Sequence, residues 1–125
     1  MKLYLTLSQA NELILLGLSE KYSSTHFTTL SENKEPSYYS AEMNTQDTWK
    51  YKYPTFTVTD LQSFLLEKGY TLCCVPFPKT GEIGVKCYGS ESTYSAIKKE
   101  LIDALFHCVK RHFGIKNKKN DIPRQ

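Results

Sequence analysis

The stretch from Phe56 to Tyr70 constrains the fold more than any other, because both ends of a helix are written into it. Thr57 suits the N-cap, and Asp60 three residues later completes a capping box with Asp in place of the usual Glu. Phe56 and Leu61 have the spacing of a hydrophobic staple. Leu61, Phe64 and Leu65 form one apolar stripe. Gly69 then supplies the left-handed residue of a Schellman ending, with Tyr70 folding back on Leu65.

Around this helix the periodicity changes repeatedly. Residues 70–77 and 83–88 are rich in aromatic and β-branched side chains, and Lys79-Thr80-Gly81-Glu82 between them reads as a turn, so the pair predicts a β-hairpin. A two- or four-residue loop about that turn places Cys74 opposite Cys87. A three- or five-residue loop brings Cys73 toward the face of Cys87 instead. A last helix is expected from a cap at Ser90 or Ser92 to about Phe113, before Gly114. Tyr94, Ile97, Leu101, Ala104, Leu105 and Cys108 make its buried face.

At the start, Leu3, Leu5 and Leu7 alternate with polar neighbours, which predicts a short strand. Ser8 then caps a helix over 9–16 with Ala10, Leu13 and Ile14 inward, ended by Gly17 with Leu18 on Leu13. Residues 19–48 are polar and carry Pro36. Thr25 to Leu30 and Ser37 to Ala41 read as strands or as parts of one long loop. The whole predicts an α+β fold, a small antiparallel sheet with about three helices packed on one face. The single domain is expected to span 1–115, with 116–125 as a basic flexible C-terminal tail.

The length of 125 residues suits one domain. The segment Met1 to Leu7 is too short and polar for a signal peptide, and no apolar run approaches a membrane span. The expected setting is the cytoplasm with no membrane partner, and Cys73, Cys74, Cys87 and Cys108 are then free thiols. The net charge of +3 owes much to Lys110, Arg111, Lys116, Lys118, Lys119 and Arg124, and does not mark a nucleic-acid binder by itself.

No catalytic or metal motif emerges. Cys73 and Cys74 are adjacent, so a strand points them to opposite faces, unlike the paired spacing of zinc sites. His107 and His112 lie about 140° apart on a helix and do not share a face. Each of Gly17, Gly69, Gly81, Gly89 and Gly114 fits a helix end or turn, which leaves no phosphate-binding loop. The expectation is no enzyme, no metal and no cofactor.

What stands out is aromatic content: nine Tyr, six Phe and Trp49. In Trp49-Lys50-Tyr51-Lys52-Tyr53 an aromatic face alternates with a cationic one, and Pro54 closes the run. Such a strand can stack on bases and neutralise phosphates. The same alternation fits a half-buried strand whose aromatics face the core and whose lysines guard an edge. Tyr38 and Tyr39 are expected nearby. Trp49, Lys50, Tyr51, Lys52, Tyr53, Tyr38 and Tyr39 are therefore the candidate binding residues.

The segments LTLSQANELILLGL, PTFTVTDLQSFLLEKGYTL and ELIDALFHCVKRHFG resemble small uncharacterised proteins of phages and mobile elements of Bacteroidetes-type gut bacteria, and the resemblance extends over about two-thirds of the chain. The resemblance rests on helix caps and core positions, and carries over no catalytic residue. It implies a phage or mobile-element origin and a host cytoplasm. The leading expectation is a non-enzymatic protein-binding module with a protein partner, since tyrosine-rich surfaces suit contact. The alternative is nucleic-acid or nucleotide binding through Trp49 to Tyr53.

Overall fold

The computed structural model describes residues 1–29, 37–40 and 51–121, with the backbone alone at 28, 29, 37–40, 51, 52 and 115–121. The order is α1 (Leu7–Leu16), a 3-10 turn (Glu20–Tyr22), β1 (Thr25–Thr29), β2 (Ser37–Ser40), β3 (Tyr51–Thr55), α2 (Val58–Glu67), β4 (Thr71–Phe77), β5 (Glu82–Tyr88), β6 (Thr93–Lys98) and α3 (Leu101–Asp121). The expected α+β architecture of antiparallel strands and three helices is observed. Its strands divide into two three-stranded sheets, ordered β2-β1-β3 and β4-β5-β6.

The local helix signals act as read. Asp60 N–H donates to Thr57 Oγ1 at 3.2 Å, and Thr57 N–H donates to Asp60 Oδ2 at 2.9 Å. Both α1 and α2 end on glycines at positive φ, 126° at Gly17 and 92° at Gly69. The next amides close the turns: Leu18 N–H reaches Leu13 O at 2.9 Å and Tyr70 N–H reaches Leu65 O at 3.0 Å.

Other expectations need correction. Leu3 to Leu7 is no strand: one isolated bridge joins Tyr4 to Thr57, Leu5 is fully buried, and Leu3 is exposed. The cap of α1 is Thr6, whose capping box with Gln9 starts the helix before Ser8. The last helix does not begin near Ser92. Thr93–Lys98 is β6, which buries Tyr94 and Ala96 in period two, while Ile97 points out. Tyr94 and Ile97 happen to fit a helical spacing with Leu101, but Thr, Tyr and Ile favour a strand beside β5. The final helix then runs past Gly114 to Asp121.

The hairpin turn is Pro78 to Gly81, one residue earlier than expected. The register therefore pairs Leu72 with Cys87 and Cys74 with Val85. Cys74 and Cys87 still share a face, because a shift of two positions preserves parity. That inner face, with Val85, Cys87, Tyr94 and Ala96, packs on α3 through Ile102, Leu105, Cys108 and Val109. Helix α2 is fixed alongside, where the Phe64 and Phe113 rings stack at 5.4 Å.

The first sheet is tied to this core by Asp60. Its Oδ2 accepts from Ser24 N–H at 3.1 Å and Ser24 Oγ at 2.9 Å, besides Thr57 N–H. Asp60 is 8% exposed, so loss of this acceptor strands buried donors. Asp60→Ala is expected to lower the unfolding free energy by about 2–4 kcal/mol, and Asp60→Asn by less, in urea denaturation.

Candidate functional site

The chain's first six residues thread between α3, α1 and the β3–α2 corner. Leu5 N–H donates to Phe56 O at 3.0 Å, and Thr55 Oγ1 donates to Leu5 O at 2.8 Å. Lys2 fastens the other end: its backbone N–H reaches Glu100 at 2.9 Å, and Nζ reaches Gln9 Oε1 at 2.8 Å and Asp103 Oδ1 at 2.7 Å. Leu3 and Tyr4, held between these anchors, cannot withdraw into the core.

Tyr4 meets β1 edge-on, its ring centroid 5.6 Å from that of Phe27 at 78°. A cleft of about 780 Å3 opens there, lined by Met1, Lys2, Leu3, Tyr4, Thr6, Leu7, Ser8 and Phe27. Its walls are mainly apolar, and the Lys2 ammonium is held by Asp103 and Gln9. Such a cleft suits an apolar or aromatic side chain.

Phe27 is also where several sequence candidates converge. In register, Tyr38 of β2 and Tyr53 of β3 both lie opposite Phe27. Tyr39 and Pro54 flank His26 in the adjacent row, and Lys52 and Tyr51 pair with Thr28 and Thr29. One sheet thus gathers Tyr38, Tyr39, Tyr51, Lys52 and Tyr53, and β3 continues through Pro54 as an edge strand, where proline is tolerated. Trp49 and Lys50 lie outside the described residues. Sequence reasoning missed Phe27, Tyr4 and the exposed Leu3. Phe27 had a signal, as the aromatic in a β-prone run between two tyrosine-bearing segments. Leu3 had a misleading one, since alternation with Leu5 placed it inside.

Cys73 and Cys74 are exposed, while Cys87 and Cys108 are buried, and all four are free thiols. A hydrogen bond to Cys108, together with burial, pushes the Cys87 thiol up. Cys108, receiving that bond and near Arg111, is lowered, but it is sealed between α3 and β5. Partial burial raises Cys74, with Cys73 and Cys108 adding to it. Burial lowers His107, reinforced by Lys98, Arg111 and Lys110. His112 Nδ1 lies 2.7 Å from the Tyr70 hydroxyl, whose pKa burial raises. Among the described residues, no group of three or more His, Cys, Asp and Glu is placed to hold a metal ion, and no helix is long and apolar enough to cross a membrane.

No protein-family model, curated protein or solved structure matches the chain.

The Lys2 anchor gives the cleft an acid limit. Burial works to raise Asp103, but hydrogen bonds from Lys2 and Gln9 and the charges of Lys2 and Lys98 outweigh it and hold the carboxyl below its usual range. A depressed carboxylate contributes stability above its unfolded pKa, about 3.9, and that contribution is lost as the pH falls through the folded value. Asp103→Asn is therefore expected to lower the urea midpoint at neutral pH and to flatten its fall below about pH 4 relative to the unaltered chain.

Proposed function

We propose that the chain is a non-enzymatic protein-binding module of phage or mobile-element origin, working in a host cytoplasm. Its partner would present an apolar or aromatic side chain to the cleft at Phe27. The observation that carries this reading is the cleft itself, an apolar recess whose Leu3 wall is 63% exposed and is pinned on both sides by hydrogen bonds. Exposed apolar groups held in place lose little entropy on binding, which is what makes a contact surface efficient. The resemblance of the capped helices to phage and mobile-element proteins supports the origin.

Leu3→Asp alters a side chain with little burial to lose, so the fold should survive it. Retention of a specific host or phage protein by the unaltered chain, and its loss by at least roughly tenfold with Leu3→Asp, is the expected pull-down outcome. Equal retention by both chains would remove the cleft from the account.

A second reading, nucleic-acid or nucleotide binding, draws on the register. Tyr51, Lys52 and Tyr53 do form a strand, with the alternation of aromatic and cationic residues that stacking on bases requires. It requires Trp49 fluorescence to be quenched by a single-stranded oligonucleotide, and the quenching to weaken steeply with salt. Unchanged fluorescence at low salt would end that reading.

A further inference from the structure

The second sheet has one face on α3 and one face open. Four of the eight large apolar side chains exposed among the described residues, Val75, Phe77, Tyr88 and Ile97, stand on that open face. Its rows, read across β4, β5 and β6, are Thr71–Tyr88–Thr93, Cys73–Lys86–Ser95, Val75–Gly84–Ile97 and Phe77–Glu82. Gly84 lets the Phe77 ring lie close against the strand: a Cβ there would come within 2.9 Å of Phe77 Cε2. Val75, the Phe77 ring and Ile97 thus form one apolar band. An apolar cluster concentrated on one face is a contact signal, where scattered residues would not be.

The charges show what would cover it. Glu82 and Lys86 carry the fixed charges of these rows, and neither has an ion-pair partner within the chain among the described residues. They sit on the central strand, two residues either side of Gly84. Half a turn about the line Val75–Gly84–Ile97 therefore lays a second copy face to face, with Glu82 over Lys86 of the copy and Lys86 over Glu82 of the copy. Ile97 meets Ile97 on the axis. Tyr88 of the copy falls beyond Glu82, at a groove of about 430 Å3 beside Phe77, Thr80 and Ile97. Stacked sheets lie about 10 Å apart, a gap that two long charged side chains can span from opposite sides.

We infer that this face is a self-complementary dimer surface and that its occupant is a second copy of the chain, related by a two-fold axis along the Val75–Gly84–Ile97 row. Such reciprocity is what an isologous interface requires. Strands of six or seven residues, roughly 3.3 Å per residue and about 4.8 Å apart, give a face of roughly 20–23 by 14 Å. That is small for an obligate dimer, so the association is reversible and weak. The surface is separate from the Phe27 cleft and does not depend on its role.

Sedimentation velocity of the full chain from about 5 to 500 µM tests it. The unaltered chain is expected to pass from monomer to dimer over that range. Glu82→Lys, Lys86→Glu and Ile97→Asp each set like charges against one another and should weaken the dimer roughly tenfold or more, with far-UV circular dichroism unchanged. The double variant Glu82→Lys/Lys86→Glu restores the pairing and should dimerise again. The two single charge variants, monomeric alone, should associate when mixed. A monomer at every concentration, a dimer indifferent to the single substitutions, or no recovery in the double variant and the mixture would each overturn the proposal.

Discussion

Burial of Leu5 and Phe56 beside one another is the constraint on which the arrangement depends. Residues 4–6 have no regular secondary structure of their own. They are held because Leu5 and Phe56 are both fully buried and their backbones share a hydrogen bond, with Thr55 capping the Leu5 carbonyl. That stitch brings the first sheet, α1 and α2 to one corner. Dispersion and desolvation secure the side chains, while the hydrogen bonds keep buried backbone groups satisfied. Without it Leu3 and Tyr4 would have no fixed position, and the cleft at Phe27 would have no wall.

The aromatic residues divide by task rather than by type. Tyr70 and Tyr94 are core residues, their rings 5.7 Å apart, and the Tyr70 hydroxyl meets the His112 Nδ1 nitrogen. Phe56, Phe64 and Phe113 are plain core. Tyr4 and Phe27 line a recess, and Phe77 and Tyr88 lie on an open sheet face. An amphipathic ring serves in all three settings, so the high tyrosine count alone could not separate core from contact surface.

The start of α2 and the ends of α1 and α2 were legible in the sequence because their causes are local. A cap needs one side-chain oxygen three residues from an amide, and a Schellman ending needs one glycine and one apolar residue, all within a few positions at Thr57–Asp60, Gly17 and Gly69. The hairpin itself was legible for the same reason, although its turn sits one residue earlier at Pro78, and the sequence left its parity open between two loop lengths that only the pairing resolves. What failed was non-local. Thr93–Lys98 became a strand because β5 offers it a partner. Leu3 was assigned inward from alternation, but whether a leucine is covered depends on what lies across from it. The candidate site was half visible. Tyr38, Tyr39, Tyr51, Lys52 and Tyr53 do share a sheet, but Phe27, the residue that joins them, acquires its importance only from the register.

Amide hydrogen exchange of the free protein, read residue by residue by NMR together with ring-to-ring nuclear Overhauser contacts, tests most directly whether the cleft exists before any partner arrives. A preformed cleft requires the Leu5 amide to be protected to the same degree as the buried amides of α3, with contacts between the Tyr4 and Phe27 rings. Leu5 exchanging at the rate of an unstructured chain, with no such contacts, would contradict it.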